Sequence, residues 1–298
     1  MKLSKLLWFW PLVMMWSCDM LDEFDRNHYI SRVNEPITHY LEQRDIFYGR
    51  NEFQNFDIFY PENVYSKPSD VVILVHGGGW TYGDKWFLDP SVEELRKARK
   101  NLTIVNLNYR LINPDQKKSL FEYQLADLDS CVNYLRKNQA KYHIRSDKFA
   151  IMGASAGAHL ALSYAYTKGR SKIHTVIGMS SITDLSEPGL LSPDLSFNIR
   201  ELTGYKESNR GKDSLIKASP VHLVDVDAPR TILLYGLRDD VVSMRQQTLL
   251  SERLISLRIP QALYILKDQD HNIGEKYVAE GILASLGADE YDRYFKYL

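Results

Sequence analysis

The residues best suited to chemistry lie in one short segment, where a serine between two glycines follows an apolar run. The run Phe149–Met152 predicts a strand, and the stretch Ala156–Thr167 has the spacing of a helix. Between them lies a Gly-x-Ser-x-Gly sequence with Ser155 at its centre. A strand, a sharp turn and a helix in this order form a nucleophile elbow, which exposes the serine hydroxyl at the carboxyl end of a sheet. Ser155 is therefore the candidate nucleophile of an acyl-transfer reaction.

A glycine-rich motif, His76-Gly-Gly-Gly-Trp80, follows another apolar run, Val71–Val75. Three glycines at the end of a strand could simply be a flexible turn. They also allow the backbone to approach a ligand and to direct N–H groups at an oxyanion. Because the elbow is present as well, we favour the second interpretation. We predict an oxyanion hole formed by the N–H groups of Gly78, Gly79 and Ala156.

A general base must lie after Ser155 if the chain order is serine, acid, histidine. The histidines that satisfy this order are His159, His174, His222 and His271. His159 follows Ser155 by four residues on the same predicted helix, so we expect it to pack beneath the elbow. His174 and His222 precede the strand that should deliver the acid. His271, in the loop after the last predicted strand, is therefore the candidate base.

The acid should follow a strand that lies between the serine and the histidine. The run 231–235 is such a strand, and Asp239 and Asp240 come after it. Either carboxylate could orient His271 and stabilise the imidazolium that forms when the base takes the serine proton. Asp270 is a weaker candidate, because residues adjacent in sequence rarely align their side chains for such a bond.

The elements that must position these residues alternate along the chain. Short apolar or aromatic-rich runs lie at Val71–Val75, Leu102–Leu107, Phe149–Met152, Ile173–Met179, Thr231–Tyr235 and Ala262–Leu266, and Phe53–Tyr60 is expected to add an earlier strand. Stretches of helical spacing lie between them, at Val92–Lys100, Leu120–Lys141, Ala156–Thr167 and Ser243–Leu257. This alternation predicts an α/β fold with a mostly parallel central sheet and helices on both faces.

Two regions near the predicted site allow more than one interpretation. The segment 184–218 breaks the alternation and is either a long surface connection or a small cap, and we favour the cap because loops of this length are usually functional. The aromatic residues after the glycine motif are either packing residues or a wall for a sugar or aryl group: Trp80, Tyr82, Trp86 and Phe87. Of these, Trp80 and Tyr82 are the candidate substrate-binding residues.

The N-terminus has the pattern of an export signal. Lys2 and Lys5 precede the unbroken apolar run Leu6–Trp16, which is too short to span a bilayer. Ser17 before Cys18 is similar to the bacterial lipobox. We predict a lipoprotein-type signal peptide over 1–17, lipid on Cys18 and a tether with an N-terminal segment over 18–45, with a location in the cell envelope. Simple secretion and an uncleaved anchor are the alternatives.

Composition excludes several other classes of protein. Lys and Arg number 37 against 38 Asp and Glu, so the chain has no basic field for nucleic acid. The cysteines, Cys18 and Cys131, cannot form a disulfide scaffold, and Cys131 is expected to be a buried, inert thiol. No metal-ligand cluster or phosphate-binding loop is apparent, so we expect no metal and no cofactor. The oligomeric state does not follow from the sequence.

The motifs together resemble a known superfamily. The HGGGW sequence at 76–80 with GASAG at 153–157 is similar to the esterase/lipase branch of the α/β-hydrolases. Within that branch the chain resembles the hormone-sensitive-lipase-like group, the bacterial feruloyl/acetyl esterase-like (BD-FAE-type) family and kynurenine formamidases. The resemblance extends from about residue 57 to the last helix, through further matches at 109–111, 219–222 and 236–242.

This resemblance implies an α/β-hydrolase domain over 46–298 that needs no cofactor. It selects Asp239 as the acid, three residues after Gly236. It implies a serine esterase acting on small acyl esters, with acetyl or feruloyl esters of sugars among the candidates. An arylformamidase is the alternative enzyme. An α/β-hydrolase domain that serves as an adhesion module is disfavoured, because serine, acid and histidine are all present.

Overall fold

The computed structural model describes residues 39–62, 67–112, 120–187, 195–204 and 211–286, and all structural statements concern these residues. They contain a sheet with the strands β1 Tyr40–Phe47, β2 Asn55–Pro61, β3 Ser69–Val75, β4 Leu102–Leu107, β5 Ile144–Ala154, β6 Ile173–Met179, β7 Arg230–Gly236 and β8 Gln261–Leu266. The strand order is β1-β2-β4-β3-β5-β6-β7-β8. β2 pairs antiparallel with β1 and β4, and the other pairs are parallel.

Helices connect the parallel strands. They are α1 Asp89–Ala98, α2 Leu120–Lys137, α3 Gln139–Tyr142, α4 Ala156–Tyr166, α5 Leu195–Thr203, α6 Gly211–Lys217, α7 Pro220–Leu223, α8 Met244–Ser256 and α9 Glu275–Leu286, with a short 3₁₀ helix at Lys85–Leu88. α4 packs on β5 and β6 and against α2, and α9 packs against α1. The predicted α/β architecture, with a mostly parallel sheet flanked by helices, is confirmed.

The apolar runs form strands because helices cover the sheet. In β3, the residues from Val71 to Val75 are completely shielded from solvent, and the same is true of Ile151 and Met152 in β5. A parallel strand covered on both faces must be apolar at successive positions rather than at alternate ones. Because the strands from β5 to β8 pair in parallel, the carboxyl ends of β5, β7 and β8 lie at one edge of the sheet, where the candidate site residues follow.

The first strand was not predicted. β1 begins at Tyr40, within the predicted tether and N-terminal segment 18–45, so the sheet starts before the predicted domain boundary at residue 46. An edge strand leaves one row of backbone N–H and C=O groups unpaired, and charged side chains on it discourage pairing with other chains. β1 includes exposed Glu42 and Arg44, so its sequence lacks the apolar run by which the other strands are predicted.

The segment 184–218 contains two helices, α5 and α6, among its described residues. Its two ends lie together at the sheet. The N–H of Leu185 donates to Ser219 Oγ at 2.8 Å, and the N–H of Val221 donates to the carbonyl of Thr183 at 3.0 Å. The segment therefore leaves and re-enters the fold at one point, and we call residues 184–218 the inserted lobe.

Some predictions fall outside the described residues. These are the signal peptide over 1–17, the lipidated Cys18 and the tether up to residue 38. Within the described ranges, no helix has both the length and the apolar character needed to cross a membrane.

Candidate active site

Ser155 occupies a strained turn between β5 and α4. Its backbone has φ 52° and ψ −116°, a conformation that L-residues rarely adopt. The two flanking glycines are required by close packing: a Cβ on Gly153 would lie 2.1 Å from the Gly157 carbonyl oxygen, and one on Gly157 would lie 2.2 Å from the Val75 carbonyl oxygen. The Ser155 N–H donates to the carbonyl of Met179 at 2.8 Å, which holds the turn against β6.

The structure brings Ser155, His271 and Asp239 together in one hydrogen-bonded series. Ser155 Oγ lies 3.0 Å from His271 Nε2. His271 Nδ1 lies 3.0 Å and 2.9 Å from the two carboxylate oxygens of Asp239. An ionised carboxylate can only accept, so Nδ1 carries the imidazole proton and Nε2 accepts from the serine hydroxyl. The side chain of His271 is 17% exposed and that of Asp239 is fully buried.

Asp239 is held as a carboxylate by its surroundings. Burial alone raises the pKa of this group, but the hydrogen bonds from His271 and from the N–H groups of Val242 and Val241 outweigh burial and lower the pKa below its ordinary value. Both N–H groups donate to Oδ1 at 2.9 Å. Asp240 is exposed, so the structure selects Asp239 as the partner of His271.

Asp270, the other candidate carboxylate, is also exposed. Its Oδ1 accepts from the N–H of Asn272 at 2.7 Å, which caps the loop that carries His271. A Cβ on Gly236 would lie 2.1 Å from the Asp270 carbonyl oxygen, so this loop approaches β7 as closely as a glycine allows. The N–H of Arg238 donates to the carbonyl of Gln269 at 2.9 Å and supports the same approach.

The glycine-rich loop lies beside the nucleophile. Gly78 and Gly79 have φ values of +106° and +54°, which favour glycine. A Cβ on Gly77 would lie 3.4 Å from Ser155 Cβ, so the loop and the elbow are in contact. Among the described residues, no hydrogen-bond acceptor faces the N–H groups of Gly78, Gly79 or Ala156. Unpaired donors next to a nucleophile are the arrangement that an oxyanion hole requires.

Trp80 is not a substrate-facing residue, and the prediction that it binds substrate is corrected. Its side chain is completely buried, because the backbone turns at φ +64° and directs the indole into the core. The indole Nε1–H donates to His159 Nδ1 at 3.2 Å, and His159 Nε2–H donates to the carbonyl of Ala218 at 2.7 Å. His159 is therefore a neutral packing residue beneath the elbow, as expected, and burial lowers its pKa to about 4.

The other aromatic residues after the glycine motif are exposed. Tyr82 is 63% exposed, and Trp86 and Phe87 are 62% and 41% exposed and meet edge to face. A buried lysine that the sequence did not reveal anchors this stretch: Lys85 Nζ donates to Asp45 at 2.6 Å and to Asn55 at 2.7 Å. Tyr82 thus remains a candidate for substrate contact.

The inserted lobe reaches the glycine loop through α5. A Cβ on Gly79 would lie 2.9 Å from Asn198 Nδ2 and 3.6 Å from Leu195 Cδ2. Asn198 is partly exposed and Leu195 is buried. Both side chains therefore limit the room on that side of the predicted oxyanion hole. The sequence pattern alone did not identify either residue.

The remaining thiol and the other potential metal ligands offer no second chemistry among the described residues. Cys131 is fully buried, and burial raises the pKa of its thiol, which makes it unreactive. Among the residues that the structure describes, no group of three or more His, Cys, Asp or Glu side chains is arranged to hold a metal ion.

The parallel sheet, the elbow and the serine–histidine–aspartate series define an α/β-hydrolase. The BD-FAE family model matches residues 56–254, which is more than half of the chain. The chain therefore belongs to the BD-FAE family. The matched range includes Ser155 and Asp239 but ends before His271, whose position comes from the structure.

Curated relatives and a solved structure are consistent with this assignment. Esterase LipC of Mycobacterium tuberculosis is 23% identical over 76% of this chain and 58% of LipC. LipM of the same organism, a probable carboxylic ester hydrolase, is 22% identical over 70% of this chain and 50% of LipM. The chain thus spans about half the length of these curated relatives. A solved truncated carbohydrate esterase from gut microbiota has a TM-score of 0.71 at 20% identity, covering 84% of this chain and 98% of that one, which shows the shared fold.

Proposed function

We propose that the protein is a serine carboxylic-ester hydrolase in which Ser155, His271 and Asp239 form the catalytic triad. The observation that carries this proposal is the series of hydrogen bonds from Ser155 Oγ through His271 to Asp239, with distances of 3.0 Å and 2.9 Å. This geometry already has the proton of the nucleophile directed at the base. The lowered pKa of Asp239 supports it, because an ionised carboxylate is needed to stabilise the imidazolium.

The reaction proceeds in two halves. Ser155 Oγ forms a bond to the acyl carbon while His271 Nε2 takes its proton, and the carbonyl electron pair moves to oxygen. The tetrahedral intermediate then expels the alcohol, which receives the proton from His271 and leaves an acyl-enzyme. Water repeats the sequence: His271 takes its proton, the hydroxide attacks the acyl group, and Ser155 recovers its hydrogen as the acid leaves.

The negative charge of each intermediate is stabilised by the free N–H groups of Gly78, Gly79 and Ala156. Among the described residues these N–H groups donate to no protein acceptor, so substrate does not compete with a hydrogen bond inside the protein. A single donor of this kind contributes about 3 kcal/mol to transition-state stabilisation. Ala156 is also the first residue of α4, so the positive end of the helix dipole adds to the effect.

The proposed substrates are small acyl esters, including acetyl or feruloyl esters of sugars. Leu195 and Asn198 support a small acyl group, because they crowd Gly79 on one side of the site. Exposed Tyr82 lies three residues after Gly79. It supports an alcohol with a ring that can lie against an aromatic face. The structural neighbour described as a carbohydrate esterase is consistent with a sugar ester.

A substrate screen tests this proposal. Values of kcat/KM are measured for p-nitrophenyl acetate, butyrate and octanoate and for methyl ferulate. Activity on acetylated xylan is followed by the release of acetate. We expect acetyl esters to exceed octanoyl esters, with Ser155→Ala inactive throughout. A maximum at octanoyl would contradict the small acyl pocket. A larger kcat/KM on N-formylkynurenine than on any ester would favour the arylformamidase alternative.

We also propose that the protein is lipid-anchored in a cell envelope through Cys18. The support is in the sequence: Lys2 and Lys5, the apolar run 6–16 and the small Ser17 before the cysteine. Membrane and soluble fractions of a bacterium expressing wild type and Cys18→Ser test this. We expect the variant to lose its lipid and leave the membrane fraction, and an unchanged membrane fraction with Met1 retained would indicate an uncleaved anchor.

A further inference from the structure

Two consecutive residues at the end of β6 contact both the nucleophile and the base. The carbonyl of Met179 accepts the N–H of Ser155 at 2.8 Å. The next residue, Ser180, donates its hydroxyl to the backbone carbonyl of His271 at 2.9 Å. Ser155 and His271 are 116 residues apart in the chain, so their relative position depends on such connections. The Met179–Ser180 step is a direct link between them.

Ser180 is itself held in place. It is almost completely buried, and its N–H donates to the carbonyl of Leu234 in β7 at 2.9 Å. Its φ of +48° lies in the left-handed region, which few non-glycine residues adopt. Rare backbone conformations that are maintained by packing are concentrated at functional sites. A rigid, buried hydroxyl at the site edge can fix the residue that accepts from it.

The other contacts of the histidine loop hold the residues before His271. Gln269 accepts from the N–H of Arg238, and Asp270 lies against Gly236. Within the described part of the chain, the Ser180 hydroxyl is the group that ties the backbone of His271 itself to another element. Its loss would remove this hydrogen bond from the His271 backbone and leave the contacts of Gln269 and Asp270, which precede His271, to hold the loop.

We propose that Ser180 is a positioning residue, which sets the distance between Ser155 Oγ and His271 Nε2 by fixing the His271 backbone. This inference rests on the proposed esterase function. It predicts an effect on the chemical step rather than on substrate binding, because the buried Ser180 hydroxyl donates to the backbone of His271. Displacement of a catalytic group by about 1 Å can lower a rate by about 10²-fold.

The test compares Ser180→Ala with Ser181→Ala. Ser181 is a matched control, since its hydroxyl is equally buried and, among the described residues, has no hydrogen-bond partner. With p-nitrophenyl acetate, we expect Ser180→Ala to lower kcat by roughly 10- to 100-fold with KM changed by less than about twofold. Ser181→Ala should keep the wild-type kcat. Equal losses in the two variants, or a wild-type kcat in Ser180→Ala, would overturn the proposal.

A second variant separates the hydroxyl from the strained backbone. Ser180→Gly lacks the hydroxyl but accepts a positive φ without strain. The proposal predicts the same loss of kcat as in Ser180→Ala, and full activity in Ser180→Gly would contradict it. The glycine variant also serves if the alanine variant does not fold.

A geometric measurement keeps this test independent of the proposed function. Crystal structures of wild type, Ser180→Ala and Ser181→Ala give the distance between Ser155 Oγ and His271 Nε2. We expect it to lengthen in Ser180→Ala alone, and an unchanged distance would refute the positioning role. If wild type hydrolyses no ester at all, the proposed function fails while this distance still decides the role of Ser180.

Discussion

The buried His159 should make the stability of the protein depend on pH. Its side chain is fully shielded from solvent, and burial lowers its pKa from 6.5 to about 4. The folded protein therefore binds this proton more weakly than the unfolded chain does. The contribution of the neutral side chain is fully present above pH 6.5, and it is lost as the pH falls from there towards 4. Protonation would also remove the acceptor of Trp80 Nε1–H.

The magnitude follows from these two pKa values. At pH 5 the unfolded histidine is almost fully protonated and the folded one is almost neutral, so the loss relative to neutral pH is about 2 kcal/mol. His76, buried beside the glycine loop, has a pKa lowered by burial to about 4 as well. The two histidines together should lower the free energy of unfolding by about 4 kcal/mol at pH 5, a large part of the stability of an ordinary domain.

Urea unfolding measures this directly. The free energy of unfolding is determined at about pH 7.5 and about pH 5 for wild type, His159→Gln and His39→Gln. His39 is exposed and serves as the control. We expect His159→Gln to lose about 2 kcal/mol less than wild type between the two pH values, and His39→Gln to match wild type. Equal losses in wild type and His159→Gln would refute the assignment of His159 as a buried neutral group.

Three further predictions concern the site. Asp239→Asn should lower kcat by roughly 10³- to 10⁴-fold and Asp240→Asn should lower it far less, because Asp239 accepts the hydrogen bond from His271 Nδ1 and Asp240 is exposed. The reverse ranking in steady-state assays would contradict this. Asn198→Ala should raise kcat/KM for longer acyl esters by up to about fourfold for each methylene newly buried beside Gly79. If kcat/KM depends on acyl length as it does in wild type, Asn198 does not limit the acyl pocket. Gly236→Ala should lower kcat by about 10²-fold, because its Cβ displaces the loop before His271, and wild-type turnover in a folded variant would argue against that contact.

The sequence predicts those elements whose residue types follow directly from their environment. Strands such as β3 must be apolar at every position because the sheet is covered, so their runs are visible without a structure. The elbow requires glycines at 153 and 157 for the reasons of packing seen in the structure. Ser155 could be chosen from the elbow pattern, and His271 because the chain order of such a triad restricts the possibilities. Chain order leaves both Asp239 and Asp240 as candidates for the acid, and the family resemblance selects Asp239.

Other features depend on contacts between distant parts of the chain. Trp80 lies next to the glycines in sequence, but a turn with positive φ places it in the core, which no composition rule reveals. Ser180 follows a strand, and its hydroxyl contacts His271, which lies 91 residues later in the chain. β1 has the polar sequence of an edge strand, so it lacked an apolar signal. In each case tertiary packing, rather than local pattern, decides the outcome.

The central claim is that Ser155 is the nucleophile of an ester hydrolase, and covalent labelling tests it most directly. Wild type and Ser155→Ala are treated with a fluorophosphonate, digested and analysed by mass spectrometry, with circular dichroism to confirm folding and p-nitrophenyl acetate to follow activity. The account predicts one adduct, on Ser155, formed in parallel with loss of activity, and a folded Ser155→Ala that is neither labelled nor active. An adduct on another residue, or undiminished turnover by folded Ser155→Ala, would contradict the account.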